Sequence, residues 1–297
     1  MPVYHRFVDL GKGLKPRYMS MIMPAKWYNG GRGLEQFRSD MLQDKRVQAL
    51  YDFVDPHECF PTVDIAGGIC YFLWNASYND MCNFVACKSG KQYPQKRFLD
   101  YTDVLIRSNI EIEIIEKVQT TDNDFLSSHV YSQKPFGLRT YVKPLQSGDI
   151  LLRYNGGTGH YMRDKVTTNA ALIDKWKVIT SCLTAEHAGE TDKNGQKRII
   201  STLEVLPPGT ICTETYMLLS VFDSQEECNN FMTYLKTRFV RSLIAIVTAT
   251  QHMSKSNFRY VPFLDYSRLW SDTDLYTKYG LTAEEIAYIE GTIKPME

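Results

Sequence analysis

Phe60 is the first residue whose type and setting could do chemistry. It opens the stretch FPTVDIAGGICYFLW, residues 60–74, ahead of Pro61 and the pair Gly67-Gly68. The apolar run from Ile69 to Trp74 reads as a buried strand. An aromatic on the loop before such a strand is placed to meet a ligand at the end of a sheet. The alternative is a core side chain, the common fate of a large aromatic. Pro24, Lys26 and Trp27 follow a second apolar run, residues 18–23, at its C-terminal end. Open α/β sheets bind ligands at that end. Lys26 could meet a phosphate there and Trp27 could stack or pack; a solvated lysine and a rim tryptophan is the other reading.

A second group is basic. Arg139, Lys143, Arg153, Arg163, Lys165, Lys193, Lys197 and Arg198 lie in the loops of the later half. Arginine and lysine reach phosphates and guanine edges, although charges also line ordinary solvated faces. Lys236, Arg238 and Arg241 fall within one expected helix and could line a phosphate track. Two glycine loops, YNGGRG (28–33) and YNGGTG (154–159), have neither nucleotide-binding spacing. The first is expected to open a helix and the second to form a turn. Glu111 and Glu113 suit no metal site and read as surface charges. Seven cysteines form no CxxC pair, and six histidines do not cluster with them. Neither a metal site nor a catalytic residue is therefore expected in this chain.

Size and composition set the bounds. A chain of 297 residues holds about two domains. No apolar run reaches the roughly 20 residues that span a membrane, and the N-terminus is too polar for a secretory signal. Unpaired cysteines fit a reducing cytoplasm. Equal counts of 34 basic and 34 acidic residues argue against non-specific coating of nucleic acid. They leave a locally basic groove open.

The elements that must position these residues follow from periodicity. Val3, Phe7, Leu10 and Leu14 share a helical face, so residues 3–13 read as an amphipathic helix. Residues 18–23 read as a strand covered on both faces. A helix with Leu34, Phe37 and Met41 on one face comes next, then a strand over 47–54. Ile69–Trp74 and Asn83–Cys87 are expected to pair as a hairpin across the turn NASYND. That order suits the closing half of a doubly wound α/β sheet over residues 1–88. A connector, leaning to helix, spans 89–134. Shorter strands and one long helix from Asp223 give an α+β unit over 135–261. A helical tail over 262–297 has capping-box spacing at Thr282 and Glu285.

The strand-Pro-x-x-aromatic pattern, the loop YNGGRG, a helix and then FPTVDIAGGICYFLW together resemble one family. It is the adenine-N6 DNA methyltransferases of bacterial type II restriction-modification systems. The likeness is to the second half of their catalytic domain and continues into the target-recognition region. It implies that Phe60 stacks on an adenine swung out of the duplex, with Pro24, Lys26 and Trp27 on the pocket rim. A base leaving its stack loses a few kcal/mol, and an aromatic face returns roughly 1–3 kcal/mol. It also implies double-stranded DNA as partner, with residues 135–261 as the sequence-reading domain.

Two family motifs are missing from the sequence: the glycine motif for S-adenosylmethionine and the Asn-Pro-Pro-aromatic tetrapeptide. The one Pro-Pro pair is Pro207-Pro208. Methyl transfer needs the target amine held in line with the methyl donor. The chain alone is thus expected to bind no cofactor and transfer no methyl group. A complementary polypeptide, or self-association, is expected to cover the strand at 18–23. Two other readings stay open: a DNA-binding specificity protein with no catalytic role, and an inactive truncated product.

Overall fold

The computed structural model describes residues 2–31, 33–65, 67–183, 192, 194–200, 202–248 and 253–296. The chain divides into two compact units, Met1–Ile112 and Glu113–Glu297.

The first unit is built on five strands: β1 (Tyr18–Pro24), β2 (Val47–Phe53), β3 (Ile69–Asn75), β4 (Cys82–Lys88) and β5 (Lys91–Arg97). Their order in the sheet is β1-β3-β2-β4-β5. β3 is antiparallel to both β1 and β2, β2 is parallel to β4, and β5 is antiparallel to β4. β1, β2 and β4 therefore point the same way. Pro24 and Phe53 both lie opposite Ile69, and Phe53 lies opposite Cys87. The carboxyl ends of three strands and the start of β3 thus share one end of the sheet.

The expected hairpin of Ile69–Trp74 with Asn83–Cys87 does not form. β3 inserts between β1 and β2 instead, which fills both its edges and suits a run of nearly continuous burial. The NASYND turn marks a chain reversal without fixing the partner. The hairpin in this unit joins β4 to β5 through Ser89-Gly90, both at positive φ (53° and 72°), as a twisted two-residue turn requires. β5 is polar and contains Pro94, so it read as connector. As an edge strand it tolerates both features, and it carries the first unit's sheet past residue 88.

Helices α1 (Tyr4–Gly13) and α2 (Glu35–Gln43) contribute to one core with Met19, Met23, Trp27, Leu50, Phe72, Trp74 and Phe84. α2 buries Phe37 and Met41 as the spacing predicts, with Leu34 beneath them. α1 forms where expected but turns its other side inward. Val8 is buried, whereas Val3, Phe7, Leu10 and Leu14 are all exposed, Leu14 by 77%. Gly11 also lies on the inward side, so close to β1 that an added Cβ would come 2.5 Å from Met19 Sδ. β1 is an edge strand with Tyr18 and Ile22 exposed, not a strand covered on both faces.

The second unit carries two three-stranded sheets. In one, β6 (Ile150–Tyr154) lies between β7 (Gly157–Tyr161) and β10 (Thr210–Cys212); in the other, β8 (Trp176–Ser181) lies between β9 (Leu203–Leu206) and β11 (Tyr216–Phe222). Residues of both sheets, Ile150, Leu152, Ile179 and Leu218 among them, share a core. The helices are α3 (Asn109–Thr121), within which the division between units falls, α4 (Gln225–Lys236), α5 (Arg238–Val247), α6 (Asp272–Lys278) and α7 (Ala283–Thr292). The one long helix expected from Asp223 is two helices. Thr237 leaves helical geometry (ψ 148°) and its hydroxyl accepts from the Val240 N–H, starting α5. Ser224 caps α4, and Thr282 and Glu285 form the capping box of α7.

Candidate functional site

The loops at the shared end of the first sheet hold the sequence candidates. The segment from Val54 to Gly68 returns the chain from β2 to β3 and is tied down by its own polar groups. Asp55 accepts from the His57 N–H at 2.9 Å, and His57 lies between Asp55 (2.8 Å) and Asp64 (3.2 Å). The Glu58 carboxylate accepts from the Ser89 and Gly90 N–H groups at 2.9 and 3.1 Å, anchoring the loop to the β4–β5 turn. The Phe60 N–H donates to the Pro56 carbonyl at 2.8 Å, and the Val63 N–H to the Phe60 carbonyl at 3.1 Å. On this frame the Phe60 side chain is 40% exposed. It is a loop aromatic, not a core one.

Pro24 ends β1, half-buried, and the Ala25 N–H donates to the Gly68 carbonyl at 2.9 Å. Lys26 is exposed at this end. Trp27 is not on a rim. The 3-10 turn over Ala25–Tyr28 swings it inward, where it is fully buried and meets Tyr28 and Phe37 edge-on. Its ring faces are taken up by the core, so Trp27 offers none to a ligand.

Beneath these loops lies a polar cluster that the sequence reading missed. Asp52 of β2 is buried (1% exposed) and sits opposite Cys70 of β3. Arg107 lies 3.1 Å from it, donates to the Gly67 carbonyl at 2.5 Å, and stands over the Tyr28 ring at 5.0 Å. Burial pushes the Asp52 carboxyl up to about 6, with Arg107 pulling the other way. Burial likewise raises the Cys70 thiol to about 12 and carries Tyr28 well above the usual phenol range. Arg97 of β5 is buried too, stacked 3.9 Å over Phe84 and lowered by burial to about 10. The usable signals were an aspartate inside the apolar run VQALYDF and an arginine inside VLIRS.

Gly67 and Gly68 have φ of +90° and +79°. A Cβ on Gly68 would lie 2.3 Å from the Phe53 carbonyl, 2.9 Å from that of Val54 and 3.1 Å from Arg107 Nη2. Only glycine fits there. The other glycine stretches behave as turns. Gly31 and Gly33, also at positive φ, lead into α2, and Asn155-Gly156 is the tip of the β6–β7 hairpin. Neither is a phosphate cradle.

The basic candidates of the second unit fall into distinct settings. Arg153 is half-buried and largely committed: it pairs with Glu204 through two contacts of 2.7 Å, donates to the Tyr154 and Gly157 carbonyls, and stands over Tyr216. Four of its five N–H donors are spent within the fold. Arg163 grips Asp174 at 2.8 and 2.7 Å, and Arg139 is exposed 3.7 Å from Glu214. Lys143 is exposed near the Tyr154 ring, and Lys165 and Arg198 are exposed. Lys197 is half-buried, its backbone bridged to Ile293. Lys193 lies outside the described residues. The expected phosphate track is not there. Lys236 and Arg238 sit on different helices, and Arg241 is buried, spending its guanidinium on the Lys236, Thr237 and Lys294 carbonyls. Glu111 and Glu113 lie on α3, and among the described residues no group of three or more side chains could hold a metal ion.

Residues 1–60 match the Eco57I restriction-modification methylase family. The resemblance to restriction-modification adenine methylases holds. A relative from Mycoplasma pneumoniae (strain ATCC 29342 / M129 / Subtype 1), described as an uncharacterized adenine-specific methylase, is 34% identical over 92 residues. The match takes in 30% of this chain and 22% of that protein, so the chain spans about a fifth of the relative's length. The type IIG restriction endonuclease BpuSI is a distant structural neighbour, at a TM-score of 0.37 and 10% identity over 89% of this chain and 42% of that one. The matched segment runs through α1, β1, α2 and β2 and ends on Phe60, so it includes Pro24, Lys26 and Trp27.

Proposed function

We propose that this chain is the C-terminal part of a site-specific adenine-N6 DNA methyltransferase, supplying one wall of the target-base pocket and the surface that reads DNA sequence. The observation that carries the proposal is Phe60, an exposed aromatic on a tethered loop at the carboxyl ends of β1, β2 and β4, inside the methylase match. An adenine turned out of the duplex would stack on Phe60, with Lys26 near enough to the same sheet end to meet a backbone phosphate. Residues 135–261 would read the bases, chiefly through Lys143, Lys165, Arg198 and Arg139, since Arg153 is committed to the fold. Lys193 and Lys197 complete the basic set.

The methylase family implies S-adenosylmethionine as methyl donor. The glycine loops of this chain are a helix entry and a hairpin tip, so the donor would be held by other residues. The exposed α1 face (Val3, Phe7, Leu10, Leu14) and the open edge of β1 support a complementary polypeptide or further chain that covers them. Among the described residues no helix is long and apolar enough to cross a membrane, and the seven cysteines are free. A cytoplasmic setting fits both.

Selection of bound duplexes from a random library, at several salt concentrations, tests the reading. Enrichment of one short adenine-containing sequence is expected, with affinity falling as salt rises. Equal binding of all sequences would overturn the sequence-reading role, and enrichment unaltered by Phe60→Ala in duplexes with an extrahelical adenine would overturn the stacking role.

A further inference from the structure

We propose that Arg107 is the positioning residue of the Phe60 loop, fixing where that aromatic stands relative to the sheet. The proposal rests on the stacking role of Phe60. The loop leaves the sheet beside Asp52 and returns at Gly67-Gly68, and one guanidinium joins the two: it reaches the buried Asp52 carboxylate at 3.1 Å and the Gly67 carbonyl at 2.5 Å. It also covers the ring of Tyr28, in the 3-10 turn that follows Pro24 and Lys26. Arg107 therefore ties together the ends of β1 and β2 and the start of β3, the three elements that carry the proposed pocket wall.

The fit around it is close. Gly68 is pressed against the Phe53 and Val54 carbonyls with space for a hydrogen only, and Arg107 Nη2 forms the remaining wall. Nη2 makes both contacts, as an ion pair with Asp52 and a hydrogen bond to Gly67, while the planar guanidinium stands over the Tyr28 ring. His57 and the Phe60 N–H set the shape inside the loop, and Glu58 ties its middle to the β4–β5 turn. Arg107 joins its two ends, beside Asp52 of β2 and at Gly67 before β3. Arg97 also favours the charged form of Asp52, so the carboxylate keeps a second cation when Arg107 is removed.

The test is residue-resolved amide hydrogen exchange on the full chain. In Arg107→Ala, exchange at Phe60 and Val63 is expected to quicken about tenfold or more while Phe72 of β3 and Leu50 of β2 stay protected. Arg107→Lys keeps the charge but not the planar guanidinium over Tyr28, so it is expected to leave the loop fast. Asp52→Asn retains a partner of the same shape and is expected to keep the loop slow. Loop exchange equal to wild type in Arg107→Ala would overturn the proposal, as would exchange that quickens equally across loop and sheet in the arginine variants. On the stacking reading, Arg107→Ala also loses preference for a duplex with an extrahelical adenine, by about tenfold, with affinity for paired DNA kept. If the loop quickens and that preference is unmoved, positioning stands and stacking fails.

Discussion

Two residues at the sheet end carry sharp expectations of their own. Gly68 holds φ +79° with a carbonyl 2.3 Å from where a Cβ would stand. Gly68→Ala is expected to cost about 2–4 kcal/mol from backbone strain and displacement of Phe53, read by urea unfolding; an unchanged midpoint would show that the turn yields freely. Asp52 tests the buried pair with Arg107. Unfolded, it releases its proton near 3.8; folded, burial holds the proton to about 6. Its contribution to stability is full below about pH 4 and is lost as pH rises through about 6. Relative to Asp52→Asn, wild type is therefore expected to lose about 3 kcal/mol across that window. A difference independent of pH would mean that Arg107 compensates the charge completely.

At the scale of elements, Asp44 is the tie between α1 and the sheet. It lies 2.8 Å from Lys12 of α1 and 2.6 Å from Arg46, and accepts from Trp74 Nε1 at 3.0 Å. Burial alone would raise its carboxyl; the three donors outweigh this and hold it well below the usual range. That contribution is present above about pH 4 and fades as pH falls further. Asp44→Asn is expected to cost about 2 kcal/mol at neutral pH and to match wild type in strong acid. Thermal melts across pH read both. The elements themselves were largely legible. The strands at 18, 47, 69 and 82, the helices at 4, 35, 109 and 283, and the cap at Thr282 stand close to where their patterns put them. What sequence pattern does not carry is pairing. The NASYND turn is real, but β3 finds its partners in β1 and β2, since an apolar run shows that its faces are covered and says nothing of which strands lie on its edges. Likewise, four apolar residues on α1 show a helix with a face, while the face that meets the sheet is the one with Val8 and Gly11. Phe60 was legible as a candidate; Arg107 was not, since its partners Asp52 and Gly67 lie 55 and 40 positions away.

Over the whole molecule, basic and acidic residues balance at 34 each. Several candidate arginines are spent on the chain's own carboxylates or carbonyls, so under the proposed function contact with DNA would fall to exposed residues such as Lys143 and Lys165. Removing either is expected to weaken binding evenly across sequences and to reduce the salt slope by about one. Arg153→Ala should instead lower stability, because it strips Glu204 of its partner. The most direct measurement is N6-methyladenine formation on duplex DNA, with S-adenosylmethionine, by this chain mixed with a polypeptide that carries the Asn-Pro-Pro-aromatic tetrapeptide. Methylation is expected only in the mixture, and is expected to fall by about tenfold or more with Phe60→Ala. Methylation by these 297 residues alone, or an undiminished rate without the Phe60 ring, would contradict the assignment.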